Sequence, residues 1–489
     1  LTEHTKDIKK ILKNIIGFSL GGILTKAVGF FLIPIYTRFL TPADYGILEI
    51  AHVIIAILSI LFVAGQIGSL QRFFFDYNKD EKKLREYIGT IVLFVLIISS
   101  CLTVMLLLFG KPLFSLIEGM PFNPYIPIVL FISFFSVLLA FPQRLLQVRQ
   151  KAYHYSLLDL ARFLVTVAGI VFFVVIRKQG ALGSLKGQLA ASVLSFAVAV
   201  FLLKGDVVFK FDTAKLRESL SFGLPLVPHA LAGWILTFAD RAMINHYIDL
   251  TQVGIYSLGY KFGMVMSLLV TSANLAWAPF FMNTMNERGE EGPRAISRLA
   301  TLYIAAMLFI AMAISFFAKE IIQVMATKEF LESYKVIPII VASYVFQGLY
   351  FIVVNQVFYI KKTKVLPFIT FGAAIVNIFL NIWWITSYGI YGAAWATMAS
   401  FAVIFVFTWV LARKVFPIRY EYSRIALVFI VAFACSALSM FLKQDRMLLS
   451  IMIKAVCLGI FPLVLYLTGF FKASGLSSLL ELFNKGMNR

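Results

Sequence analysis

The sequence predicts an all-α polytopic membrane protein of about fourteen transmembrane helices, and three observations carry that prediction. The chain is 61% hydrophobic and only 14% charged, whereas soluble domains are about a quarter charged. Its apolar runs last about 20 residues, the length a helix needs to cross hydrocarbon; barrel strands would be about 10 residues long and alternate in polarity. Its basic residues also alternate in density from loop to loop. With the N-terminus inside, 29 of the 44 Lys and Arg fall in inside segments, 10 in outside loops and 5 within spans. That asymmetry is the positive-inside signal, and it predicts cytoplasmic N- and C-termini.

Residues 1–13 (LTEHTKDIKKILK) read as a cytoplasmic basic surface helix with Ile8, Ile11 and Leu12 on one side. No cleavable signal peptide is expected, because no small-residue cleavage site follows the first span. Spans are expected near 14–36, 45–71, 87–110, 124–143, 155–176, 181–203, 219–240, 253–279, 299–318, 336–360, 365–386, 389–412, 425–442 and 448–471. The uncharged run Val365–Ala412 is too long for one crossing and divides at Ser387-Tyr388-Gly389. The net charge of +20 is a topology signal and does not point to nucleic acid. Cys101, Cys435 and Cys457 lie within apolar runs, with neither disulfide nor metal-ligand spacing. Extramembrane stretches reach only about 15 residues, which leaves no room for a soluble catalytic domain.

The chain also repeats. TPADYGILEI (41–50) answers DLTQVGIYSL (249–258), pairing Gly46 with Gly254 at an offset of 208; Gly180 and Gly183 answer Gly389 and Gly392 at an offset of 209. Six spans separate the copies. An even number preserves direction, so the halves are parallel repeats with a substrate site expected between them. The organisation that follows is an N-lobe of six spans (14–204), a C-lobe of six spans (205–412), and residues 413–489 as two accessory spans and a cytoplasmic tail.

Three blocks carry a family resemblance: GILTKAVGFFLIPIYTRFLTPADYGILE, FADRAMINHYIDLTQVGIYSLGYKFG and VNIFLNIWWITSYGIYGAAWATMAS. With the span count, they make the chain resemble the polysaccharide transporters and O-antigen-type flippases of the multidrug/oligosaccharidyl-lipid/polysaccharide superfamily. The resemblance implies two six-helix lobes around a cavity lined by spans one, two, seven and eight, with an accessory pair found in members that move lipid-linked sugars. It implies translocation of lipid-linked oligosaccharides, of the undecaprenyl pyrophosphate type, from the inner to the outer leaflet of the cytoplasmic membrane by alternating access. Polysaccharide, O-antigen or capsule export would be served, with association with polysaccharide-assembly proteins. No catalytic residue, metal or cofactor is implied, and coupling would be to H+, Na+ or the membrane potential. The alternatives are a lipid II flippase or a drug/cation antiporter of the same superfamily. From another class, a membrane-embedded polymerase or glycosyltransferase is disfavoured for want of clustered carboxylates or a large outer loop.

Charges within the spans are the candidate site. Lys26 is the only charge between Lys13 and Arg38, a dozen residues from either, too deep to snorkel. Lys261 sits about eight residues into span eight, within snorkelling reach by the plainer reading. Arg241, beside Asp240, ends span seven, and the plainer reading of that pair is a solvated helix-end ion pair worth little. Lys26, Arg241 and Lys261 together are the candidate cationic surface for the carrier's phosphates. Glu49 and His52, three apart, are candidates for proton coupling, although such a pair more often solvates a helix end. Asp159 and Arg162, also three apart, read as a structural pair or a cytoplasmic gate. His229 reads as a packing residue, Lys454 as snorkelling, and Asn377 with Asn381 as hydrogen-bonding span twelve.

The basic-residue asymmetry predicts that the loop at Lys361–Lys364 is cytoplasmic and the loop at Lys328 external. An impermeant maleimide applied to intact cells should label a cysteine placed near Lys328 and spare one near Lys362. Labelling near Lys362 would overturn the topology.

Overall fold

Backbone groups in hydrocarbon find no water, so each apolar run closes its hydrogen bonds internally as a helix. The computed structural model describes residues 30, 32–203, 205, 207–442 and 446–470, and no strand occurs among them. Residues 1–13, most of the first expected span including Lys26, and the C-terminal tail lie outside the described residues. The helices are α1 (Ile33–Phe39), α2 (Pro42–Val63), α3 (Gln66–Tyr77), α4 (Glu81–Phe109), α5 (Phe122–Val148), α6 (Ala152–Ile170), α7 (Gly180–Leu203), α8 (Thr213–Gly223) and α9 (Leu226–Tyr247). They continue as α10 (Leu250–Gly263), α11 (Val265–Arg288), α12 (Gly292–Phe316), α13 (Ala318–Met325), α14 (Ile337–Tyr359), α15 (Leu366–Tyr388), α16 (Ile390–Val415), α17 (Tyr422–Phe441) and α18 (Met447–Leu467).

Eleven of the described helical stretches are long and apolar enough to cross a membrane; the bent pair α8–α9, with a 43° break, makes a twelfth. The expected fourteen is therefore not reached among the described residues. The first span lies outside them, and spans eight and nine run within one 67-residue helical stretch, Leu250–Phe316. The break between α8 and α9 falls at Leu224-Pro225, where proline lacks the amide that would continue the ladder.

Two compact units are present: Leu1–Ser257 with Met325–Phe330, and Leu258–Val324 with Leu331–Arg489. In the first, α2 packs against α5, α7 and α9, and α6 against α7. The connection ahead of α8 is strapped along the start of α4. Val208 donates its amide to the Arg85 carbonyl, Thr90 Oγ1 donates to the Lys210 carbonyl, and Lys210 and Lys215 both reach the Glu86 carboxylate, at 3.0 and 2.8 Å. Asp212 caps α8, and the Lys215 amide it accepts holds its carboxyl below the usual range.

In the second unit, α16 packs on α14 and α15, while α17 and α18 pack on α12 and on each other. Asn377 Nδ2 donates to Ser400 Oγ at 3.1 Å and Asn381 donates back to Asn377, so the expected bonding between spans eleven and twelve is present. Lys454 does not simply snorkel. It ion-pairs with Glu320 of α13 at 2.6 and 2.8 Å, and Ser450 donates to the same carboxylate at 2.7 Å. Glu320 is buried, so this joint ties the accessory helix α18 to α13. Lys454→Ala strands that carboxylate. A buried pair broken on one side costs about 3–5 kcal/mol, whereas replacing both partners by apolar groups is often neutral. Lys454→Met should lower the Tm of the detergent-purified protein by several degrees, and adding Glu320→Leu should recover most of it. A single variant that melts with the parent would refute the joint.

Candidate functional site

Helices α2 and α10 begin at equivalent positions of the sequence repeat, and each start is capped. Thr41 accepts the Asp44 amide, with Asp44 returning a bond to Thr41, and Asp249 accepts the Gln252 amide at 2.7 Å. The two starts then meet at the backbone. A Cβ on Gly46 would lie 2.0 Å from the Leu250 carbonyl oxygen, and one on Gly254 would lie 2.0 Å from the Pro42 carbonyl oxygen. Pro42 is to Leu250 as Gly46 is to Gly254 under the 208-residue offset, so the contacts are images of each other about a local twofold. Only glycine permits that approach.

Behind the glycines lies a buried charge cluster. Glu49 of α2 is 4% exposed, Arg241 of α9 is 4% and Asp240 is 2%. Arg241 Nη1 donates to Asp240 Oδ1 at 3.0 Å and to the Thr237 carbonyl at 2.7 Å, and its Nε stands 3.7 Å from Glu49 Oε2. The Tyr256 hydroxyl of α10 donates to Asp240 Oδ2. The guanidinium also lies over the rings of Phe238 and Tyr256, at 5.6 and 5.8 Å. At the rim, His52 Nδ1 is 3.5 Å from Glu49 Oε1 and its Nε2 is 3.2 Å from Gln188 Oε1 of α7. Deeper along α9, Trp234 Nε1 donates to the Val53 carbonyl of α2. Three helices are thus joined at one end by charge, and α7 is joined through His52.

The helix-end reading of Asp240-Arg241 is therefore corrected: neither side chain is solvated, because α2 and α10 cover them. Glu49 and His52 are brought together as expected, and both join the Arg241 cluster. Tyr256 and Gln188 were missed; a tyrosine and a glutamine in apolar helices carry no signal of partnership until the helices pack. Asp159 is buried and accepts from Gln143 Nε2 of α5 at 2.7 Å, and Arg162 is half-buried one turn on. Lys261 is half-buried on α10, in the second unit, whereas Arg241 is in the first. His229 is exposed, not packed.

A family model described as polysaccharide biosynthesis protein matches residues 11–285, and one described as MatE matches residues 225–383. A protein of the Lsg locus of Haemophilus influenzae is 25% identical over 292 residues, covering 57% of this chain and 68% of its own length. A Haloferax volcanii protein described as a probable low-salt glycan biosynthesis flippase is 24% identical over 212 residues, 43% of this chain and 44% of its own. Among solved structures, the lipid II flippase MurJ in an inward closed conformation is similar with a TM-score of 0.71 at 17% identity, over 92% of this chain and 99% of MurJ. An inward-facing multidrug transporter of the MATE family gives 0.64 at 14% identity, over 85% and 99%.

A methyl group at Gly46 cannot be accommodated without moving backbone. Overpacking costs about 1–3 kcal/mol, so Gly46→Ala or Gly254→Ala should open this end of the bundle. In a cysteine-free background, a cysteine at the buried Asn245 reports it. Maleimide labelling should be about tenfold faster in either glycine variant. Equal labelling rates would show that the glycine contact does not hold the end closed.

Proposed function

Because the chain belongs to the polysaccharide biosynthesis protein family, we propose that this multi-span membrane flippase moves lipid-linked oligosaccharides from the inner to the outer leaflet of the cytoplasmic membrane. The buried Glu49–Arg241–Asp240–Tyr256 cluster is the observation that carries the reading. Charges inside an apolar bundle are costly, and they persist where function requires them. Here they join α2, α9 and α10 at the end that the basic-residue asymmetry assigns to the outside. A glycine contact backed by ion pairs is a closure that can reopen, since its polar groups can be met by water in the other state. The lobes 14–204 and 205–412 would be the bodies that rock. Alternating access then needs no covalent step.

Coupling follows from charge counting. Glu49 and Asp240 against Arg241 leave one excess negative charge when both carboxylates are ionised. A proton on His52 or on a carboxylate, or a bound cation such as Na+, balances it; the membrane potential is the third candidate source. One charge across 100 mV is worth about 2.3 kcal/mol, enough to bias a two-state equilibrium. The phosphates of the carrier would be met by Lys26 and Lys261, with Arg241 committed to the closure. The name of the Haloferax volcanii relative and the polysaccharide biosynthesis family support a glycan substrate over a drug, and the accessory pair α17–α18 supports a lipid-linked one.

Reconstituted liposomes with a fluorescent lipid-linked oligosaccharide decide the matter. The Lys26→Ala, Lys261→Ala double variant should lose most flipping at matched protein levels, and full activity would remove the cationic surface. Glu49→Gln should flatten the pH dependence of flipping; a profile superimposable on the parent's would exclude this cluster from coupling. Transport of lipid II or of organic cations in place of the oligosaccharide would replace the substrate assignment.

A further inference from the structure

Helices α15 and α16 form a hairpin with almost no loop. Gly389 reverses the chain at φ 62°, and Gly392 lies so close to the Trp384 carbonyl that a Cβ there would stand 2.0 Å from its oxygen. The aromatic spacing on either side of this turn is regular. Trp384 and Tyr388 are four apart on α15; Tyr391 and Trp395 are four apart on α16. Residues four apart share a helix face, and the tight hairpin turns both faces toward one space. The four rings line a cleft of about 400 Å³, within the size range of small-molecule sites. A carboxylate stands at its edge. Tyr391 donates its hydroxyl to Glu332 Oε2 at 3.4 Å, and Lys335 ion-pairs with the same oxygen.

Interfacial tryptophans and tyrosines ordinarily form belts with their rings at the level of the lipid headgroups. Here two pairs, presented by two helices, converge on one cleft and retain open surface, with Tyr388 65% and Trp395 46% exposed. Flat π-faces suit the apolar C–H face of a pyranose ring, and a carboxylate with an ammonium beside it suits its hydroxyls, as acceptor and donor. The Glu332 charge is already met by Lys335, so the cleft offers a cation its ring faces but no net negative charge beside them. We infer that this cleft is a carbohydrate-stacking subsite for neutral or amino hexoses. On the topology given above it faces the outside, where it would receive the glycan after translocation. The inference rests on the oligosaccharide reading for its role in transport, while sugar binding itself is measured without transport.

The test uses the full chain in nanodiscs of phosphatidylethanolamine and phosphatidylglycerol, with free maltotriose and chitotriose as probes. Saturation-transfer NMR should show contact through the pyranose ring protons. Trp395→Ala and Trp384→Ala should each weaken binding about tenfold. Trp383→Ala, whose ring is exposed beside the cleft and does not line it, should bind as the parent does. Absence of saturation transfer to either sugar overturns the subsite, as does binding that Trp384→Ala and Trp395→Ala leave intact. Choline binding in place of sugar, or quenching of Trp395 by brominated lipid that sugar does not relieve, overturns it in favour of a cation cage or a lipid contact. Loss of sugar binding with flipping intact removes the subsite alone. Sugar binding in a protein that fails to flip the lipid-linked oligosaccharide removes the transport reading and leaves the subsite.

Discussion

Two helix starts meet backbone to backbone at Gly46 and Gly254, and much of the first unit follows from that contact. A side chain at either position would hold α2 and α10 further apart, because its Cβ would stand 2.0 Å from a carbonyl oxygen where ordinary contact begins at 3.4 Å. With the starts in contact, Tyr45, Tyr256 and Ile244 become fully buried, and so do the charges behind them. Burial then imposes the electrostatics. A guanidinium taken from water needs acceptors in fixed positions, and Asp240, Glu49 and the Thr237 carbonyl provide them from two helices. Tyr256 and Gln188 are drawn in because the carboxylate and the imidazole each need a further partner.

Buried ion pairs rarely add net stability over well-packed apolar side chains. Their presence at this end of α2, α9 and α10 suits the reopening proposed for the contact. Apolar packing exposed on opening loses its gain outright, whereas a charged cluster exchanges protein partners for water. The Glu320–Lys454–Ser450 joint is a contrast within the same chain. Its carboxylate is as buried but its ammonium is only half-buried, it contains no histidine and no glycine contact, and it links an accessory helix to a short helix. The first cluster suits the opening proposed for it; the second has the parts of a rivet.

The repeat gives the glycine contact its geometry. Because Pro42 and Leu250, and Gly46 and Gly254, are related by the same offset, one short motif written twice produces a self-complementary contact. The caps are repeated too, in Thr41 and Asp249. The charges are not: Glu49 corresponds to Ser257, so the ionic half of the site breaks the symmetry that the backbone half obeys.

The sequence by itself determined the class of fold, because hydrocarbon forces every apolar run of about 20 residues into a helix whatever its neighbours are. It also marked Glu49, His52, Asp240 and Arg241, since an ionisable side chain in such a run is rare enough to stand out. The glycine repeat was legible as a repeat, but nothing local said that its two copies touch. Only the tertiary structure decided that Asp240 and Arg241 are buried, that Tyr256 serves Asp240, that Lys454 reaches Glu320 across 134 residues, and that four aromatic rings share one cleft. The physical reason is common to all four. Polarity and periodicity are properties of one helix, whereas a partner is chosen by the packing angle and register of another, and those depend on side chains distant in the chain.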